Sequence, residues 1–436
     1  MTKASSDGAE QPGGLRAWCI WILAAICFGY AFFHRVSPSV MVSELMADFA
    51  IGGAVLGVLS ALYFYPYVLL QVPIGALLPV IGTRRLLGYA LILAALGSAL
   101  FGLTDNLYLA YLGRLLVGIG CSVGFLGSLA LASAWFPADR YAFLAGLAMF
   151  FGMGSGMLAQ RPLAFVVDQV GWRSSLLWLA GLGLLLACLV FVFIQNAPAE
   201  KRVKAQRPSG TSVDWAELGT ALSQTLRRWH VWKIALLASA LTGPMLTLGA
   251  LWGTPYAMQA YDLSRPDAAF QMSFLLFGWA FGAPFCGWLS EKTGWRLAIL
   301  RVCAGLLTAL MGCLVIGSDV PLWLFSCLVF FIGVTGGGMT ICFSLVRGVV
   351  PPALQGVATG VVNALTVASG ALLQPLVGWG LDLLWSGELD GGSRLYSAAD
   401  YRLSFMVIVG SCLVGLALSL SLSSGADKKV FQTDSR

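Results

Sequence analysis

Twelve apolar stretches, each long enough to cross a bilayer, constrain this chain more than any other feature. They lie at about 17–42, 54–80, 86–103, 107–135, 141–167, 174–195, 230–257, 267–290, 297–316, 321–346, 355–381 and 402–422. A spanning helix needs roughly 20 mostly apolar residues, because each adds about 1.5 Å across a hydrocarbon core about 30 Å thick. Only 11% of residues are charged, against about a quarter in soluble proteins. A soluble core still needs a polar shell, so twelve nearly uncharged helices exclude a large soluble protein. The expected fold is an all-α integral membrane protein.

The first stretch is too long for a removable signal peptide and carries His34 and Arg35. All ten cysteines fall within spanning stretches, and none has C-x-x-C spacing. They read as small apolar fillers, with no metal, disulfide framework or cofactor expected. The net charge of +6 is a topology signal. With both termini placed in the cytoplasm, 19 of the 26 basic residues fall on that side. The opposite loops carry acids such as Glu44, Asp48, Asp105, Asp262, Asp319, Glu388 and Asp390. Nucleic acid is not an expected partner. Membrane lipid is, in an inner or plasma membrane.

The chain divides into a tail (1–16), six spans (17–195), a basic linker (196–229), six more spans (230–422) and a second tail (423–436). An amphipathic helix is expected in the linker near Asp214 to Leu226. The halves repeat. Ser155-Gly156-Met157-Leu158-Ala159-Gln160 matches Ser369-Gly370-Ala371-Leu372-Leu373-Gln374, and Asp168 then matches Asp382. Pro137 and Gly146 match Pro351 and Gly360 at the same offset of 214 residues. Gly75-Ala76-Leu77, Gly82 and Arg84 match Gly287-Trp288-Leu289, Gly294 and Arg296 at 212. Such internal symmetry is the mark of transporters that rock two units around a midplane site.

The turns after the second and eighth stretches resemble the G-x-L-x-D-R-x-G-R-K signature of the major facilitator superfamily. The second copy is close to it, from Gly287 through Glu291 and Gly294 to Arg296. The first has Pro79 at the acidic position but keeps Gly75, Gly82 and Arg84. Arg114-Leu115-Leu116-Val117-Gly118-Ile119-Gly120 resembles the family's R-x-x-x-G-x-G. The resemblance implies two six-helix bundles, each a 3+3 inverted repeat, that transport by alternating access. It also implies that the signature loops latch neighbouring helix ends in one conformer. Gly118-x-Gly120, Gly152-x-Gly154-x-Gly156 and Gly336-Gly337-Gly338 lie inside apolar helices with no preceding strand. They read as close-packing surfaces, not phosphate loops.

Buried charge is the informative chemistry, since an Arg near a span centre costs about 2.5–3.5 kcal/mol or more. Arg35, Arg114 and Arg161 qualify, all in the first half and at similar estimated depth. Phe32-Phe33-His34-Arg35 resembles the first-helix signature of organic-anion and sugar-acid transporters, with His34 at the usual Asp. That resemblance implies that Arg35 meets an anionic substrate group. Snorkelling, or pairing with Glu44 or Asp48, is the competing reading. Arg114 and Arg161 are candidate substrate-binding residues as well, with a structural or gating role the favoured reading of Arg114 and pairing with Asp168 that of Arg161. The second half has Gly249 opposite Arg35 in the repeat, and offers Gln271, Asn363 and Gln374 with Trp252 and Tyr256 as walls. His34 is the candidate proton-coupling residue, because its unperturbed pKa lies near neutrality.

No Walker motif, catalytic triad or metal cluster appears, so enzymatic chemistry and primary pumping are disfavoured. The expectation is a monomeric secondary transporter of a small organic anion, as symporter, exchanger or uniporter, with protons a candidate second partner. The alternatives are an amino-acid or dipeptide transporter, drug or metabolite efflux, and a transport-inactive sensor or assembly factor. Tyr65-Pro66-Tyr67-Val68-Leu69-Leu70 resembles lysosomal dipeptide transporters of the superfamily.

Overall fold

A computed structural model describes residues 13–137, 140–198, 215–317 and 320–422. Most of both expected tails, and the linker from 199 to 214, lie outside the described residues. Eleven continuous helical runs among the described residues have the length and apolarity to cross a membrane. One of them, Phe143–Phe193, is 51 residues long and is broken at Gly171, whose φ of +80° suits a residue without Cβ. That break separates the fifth span (141–170) from the sixth (172–193), giving the twelve crossings. In a bilayer every backbone polar group must be satisfied within the segment, and long helices answer that demand.

The remaining spans are Leu15–Val40, Gly53–Ile81, Thr83–Leu103 and Leu107–Trp135 in the first half. In the second they are Trp229–Tyr261, Arg265–Thr293, Arg296–Ile316, Leu322–Val349, Pro352–Leu384 and Ala398–Ser421. Each set of six forms a bundle. The face carrying residues 13 and 422 is called here the terminal face, and its opposite the distal face. Trp215–Leu226 is a short helix before the seventh span.

Among the described residues the first, seventh and tenth spans change their winding near their middles or ends. The first passes into a 3-10 turn at Ser37–Val40, where Pro38 enters. The seventh is wound as a π-helix over Met245–Trp252. The tenth tightens to 3-10 at Gly337–Met339. Local π-winding leaves carbonyls off the regular ladder and is frequent at functional sites. Here two of those carbonyls are taken by the repeated glutamines. Gln374 Nε2 donates to Leu246 O at 2.8 Å, and Gln160 Nε2 donates to Gly249 O at 2.8 Å. The Gln-centred repeat therefore clasps one helix from both bundles.

The bundles meet most closely on the distal side. The second span crosses the eleventh so tightly that a Cβ on Gly378 would lie 2.0 Å from Gly53 O. A small hairpin pairs Leu389–Asp390 with Ser393–Arg394 and packs on the first-half helix Val42–Phe49. Toward the terminal face, Gly124–Trp135 and Thr340–Val349 pack chiefly on helices of their own bundles. The molecule is closed on its distal side.

Close backbone approach at Gly53 and Gly378 is what permits that closure. Gly378→Val is expected to force the distal ends apart. Spin labels at Asp105 and Asp390, one in each bundle, then report longer distances than in the unsubstituted protein by double electron–electron resonance. An unchanged distribution counts against this packing as the seal.

Candidate functional site

A cavity of about 50 Å³ lies between the bundles at mid-depth. Arg35, Phe32 and Tyr67 line it from the first half, and Trp279, Asn363 and Thr366 from the second. Ligand pockets typically run to about 300–1,000 Å³, so the bundles must part further before an organic solute fits. Arg35 is 6% exposed. Its guanidinium carbon lies 4.7 Å from the Phe32 ring centroid, 4.9 Å from Tyr67, 5.7 Å from Tyr63 and 6.0 Å from Phe64. Ring faces attract a cation by their quadrupoles, most strongly where water is excluded. Among the described residues no carboxylate forms an ion pair with it, and its buried Nε has no hydrogen-bond partner. Pairing with Glu44 or Asp48 is thus not seen: Glu44 binds Arg265, and Asp48 binds Arg173 and the Trp172 indole.

Arg114 sits behind the same aromatic wall, 5.5 Å from the Tyr63 ring. It donates to His34 O at 3.2 Å and Ser60 O at 3.4 Å, which ties the fourth span to the first and second. Such contacts position Arg35 and keep Arg114 itself off the cavity wall. His34 is 1% exposed, packs edge-on against Tyr30 with centroids 4.6 Å apart, and lies outside the cavity lining. Its Nε2 is buried without a partner.

Arg161 is elsewhere. Its side chain is about half exposed on the distal side and pairs with Asp267 at 3.3 Å. The expected Arg161–Asp168 pair does not form; Asp168 binds Arg265 at 3.2 Å. Seven residues along a helix is roughly 10 Å of rise, whereas the first turn of the eighth span offers both partners directly. The three arginines expected at similar depth therefore separate into a cavity cation, a buried strut and a distal ion pair. Trp252 and Tyr256 are buried away from the cavity. Trp252 donates to Gln374 O at 3.0 Å, while Tyr256 packs on Tyr401 and Phe405. Asn363 does line the cavity and donates to Gln71 Oε1 across the bundles at 3.1 Å.

Several participants escaped sequence reasoning. Gln71 is a lone amide in the second span, a signal that was available. Tyr63 carried no signal of its own, and Tyr67 stood only within the Tyr65–Leu70 stretch that resembles dipeptide transporters. Asp382 was seen only as a repeat match, yet it seals the distal face. Its Oδ1 accepts from Gly53 N at 2.8 Å, Tyr396 Oη at 2.6 Å and Arg394 at 3.0 Å, while Oδ2 accepts from Ala54 N at 2.9 Å. A carboxylate of one bundle thus caps the helix start of the other, where the first amides have no partner within their own helix. Burial first, and the bond to Asp382 second, push the Tyr396 phenol above its ordinary range. It stays protonated and donates.

The signature loops sit on the terminal face. After the second span, Gly82 turns with φ +85°. Arg84 N donates to Asn196 Oδ1 at 2.9 Å, and the Arg84 guanidinium donates to Phe191 O at the end of the sixth span. Gly75 has open space around it. After the eighth span, Gly294 turns with φ +71°, but neither Glu291 nor Arg296 forms an ion pair among the described residues. Arg301 instead holds Ser419 O and Leu422 O at the end of the twelfth span.

Two six-helix bundles, sealed on one side and enclosing a cavity between them, define a polytopic secondary transporter and not an enzyme. The chain belongs to the Major Facilitator Superfamily, whose model matches residues 21–375. Over 293 residues it is 23% identical to a probable sulfoacetate transporter of Cupriavidus necator, covering 65% of this chain and 67% of that one. Over 445 residues it is 21% identical to a probable galactarate/D-glucarate transporter of Escherichia coli, covering 94% and 96%. Its fold is similar to that of a bacterial homologue of the human lysosomal transporter Spinster in an inward-facing, occupied conformation. There the TM-score is 0.74, with 16% identity over 96% of this chain and 98% of the other.

The distal seal makes a specific prediction. Asp382→Asn replaces a charged acceptor of four hydrogen bonds by a neutral amide, a loss of about 2 kcal/mol. Amide hydrogen exchange at Gly53 and Ala54 is expected to rise about 30-fold. Unchanged protection there would mean that Asp382 does not hold the seal.

Proposed function

We propose that this protein carries a small organic anion across an inner or plasma membrane by alternating access, as a monomer with both termini in the cytoplasm. On that orientation the terminal face is cytoplasmic and the distal face external, so the described state is closed to the outside. The chain's domain plan follows the sequence reading, with 17–195 and 230–422 as the rocking units and 196–229 as the connector.

One observation carries the reading of the cargo. Arg35 presents a guanidinium to a cavity shared by both bundles, and among the described residues no carboxylate forms an ion pair with it. A substrate carboxylate or sulfonate supplies the missing charge and accepts the paired N–H donors that suit it. Asn363 and Thr366 then face the neutral body of the solute from the second bundle. The names of the relatives, sulfoacetate and galactarate/D-glucarate, describe small anions of this kind. An amino acid or dipeptide would also bring a carboxylate. Its ammonium would meet no acid, because Asp and Glu residues of the spans stand only near helix ends.

Purified protein is expected to be stabilised by glucarate or sulfoacetate in a thermal-shift series that also includes dicarboxylates, amino acids and dipeptides. The gain is about 2.7 kcal/mol at a ligand concentration 100-fold above Kd. Arg35→Gln should lose roughly 3 kcal/mol of binding, a 100-fold or greater fall in affinity, while remaining folded. Stabilisation by amino acids alone, or undiminished binding by Arg35→Gln, would overturn the anion reading.

A further inference from the structure

The wall of the central cavity bears on which anion it takes. Arg35 is the one charged side chain among the described residues that line it. The other polar groups there are Tyr67, Thr242, Asn363 and Thr366, with the Trp279 indole. Three of these are already committed. Thr242 Oγ1 donates to Ala238 O at 2.9 Å and Thr366 Oγ1 to Val362 O at 2.7 Å, each within its own helix. Asn363 spends one amide hydrogen on Gln71 Oε1.

The remainder of the wall is apolar. Phe28 and Phe32 come from the first span and Phe125 from the fourth, with Leu246 and Val367 from the second bundle. Four methionines complete it: Met149 and Met153 from the fifth span, Met245 from the seventh and Met339 from the tenth. Met245 opens the π-wound segment, and Met339 ends the 3-10 turn. Unbranched thioethers re-pack around guests of different shape, so this wall can follow a solute as the bundles part.

A polyhydroxy diacid fits such a wall poorly. Its second carboxylate finds no second cation, and a buried charge without a partner is costly. Its hydroxyls give up water for a surface with few free donors or acceptors, and each one left unpaired is unfavourable. A monoanion with a hydrocarbon body meets neither difficulty. Its one charge reaches Arg35, and its body leaves water for phenyl and thioether surface.

We infer that the preferred cargo is a monocarboxylate with an apolar body, held by Arg35 at one end and by the phenylalanine and methionine wall along its length. The inference rests on the anion reading above and names its substrate class. Polyhydroxy diacids still bind through Arg35, but at higher concentration.

Four six-carbon acids separate the contributions at constant chain length. Hexanoate has the apolar body alone, adipate adds a second carboxylate, gluconate adds hydroxyls, and glucarate has both. Dissociation constants are obtained from thermal-shift titrations of the purified full chain at neutral pH, with sulfoacetate in parallel. Hexanoate is expected to bind at least about tenfold more tightly than adipate or gluconate, because an apolar pocket rejects a single added hydroxyl by about 100-fold. Glucarate should be the weakest of the four. Equal affinities, or tightest binding of any of the other three, would overturn the apolar-body assignment and leave anion binding intact. If neither these acids nor sulfoacetate stabilises the protein, the anion reading itself fails and the assignment falls with it. Arg35→Gln should lose hexanoate; hexanoate binding that survives this change lies elsewhere and overturns the assignment to the cavity. Met153→Gln, close in length to the original side chain, provides a second measurement. The ratio of hexanoate to gluconate affinity should fall severalfold, and an unchanged ratio in the folded variant would count against the wall as the determinant.

Discussion

A guanidinium held inside a membrane protein without a carboxylate is the constraint around which this molecule is organised. The ordinary solution is an ion pair, which restores neutrality at the cost of fixing two side chains. Here Arg35 is surrounded by ring faces, and its neighbour Arg114 is spent on backbone carbonyls of two other spans. Those carbonyls are near helix ends, where each takes the guanidinium beside another donor, Ser37 Oγ on His34 O and Tyr63 N on Ser60 O. The arrangement keeps one positive charge both buried and available. An ion pair at the same place would have been more comfortable for the empty protein and useless for holding an anion.

The two bundles divide the work unequally despite the repeat they share. The first contributes the cavity cation and its aromatic cage. The second contributes the amide and hydroxyl of Asn363 and Thr366 and the π-wound seventh span. Gln160 and Gln374 show how a repeated residue acquires different duties. Both donate to carbonyls of that seventh span, but one bond stays within a bundle and the other crosses between bundles. Movement of the bundles leaves the Gln374 bond intact and must break the Gln160 bond. The same side chain is a strut in one copy and a release point in the other.

Fold was legible in the sequence because hydropathy and repeat spacing are one-dimensional signals. Twelve stretches and an offset of 214 residues sufficed for the architecture, even with one boundary collapsed onto Gly171. The cavity was legible only in part. Arg35 announced itself as a charge in an apolar run, and Asn363 as an amide in another. Tyr63 and Tyr67 did not, since an aromatic that cages a cation looks the same in sequence as one that packs a core. The distal ion pairs were misassigned for a related reason. Sequence proximity suggested Arg161 with Asp168, while the true partners lie about 100 residues away on the facing bundle. Pairing across a moving interface leaves no local trace.

The two faces of the molecule are also held by different chemistry. Distal closure uses carboxylates and arginines in trans, with Asp382 capping the second span and Arg265 bridging Glu44 and Asp168. On the terminal face the first signature loop is occupied within its own bundle. Arg84 is turned onto the end of the sixth span and Arg301 onto the end of the twelfth, while Glu291 stands without an ion pair among the described residues. A latch that joins bundles cannot be engaged on both faces of a rocking carrier at once. The replacement of the usual acid by Pro79 therefore does not disable the first loop in this state, because the acid has no bundle-to-bundle contact to make here. On the anion reading proposed above, an anion reaching Arg35 meets a protein whose distal side is closed by Asp382 and Arg265.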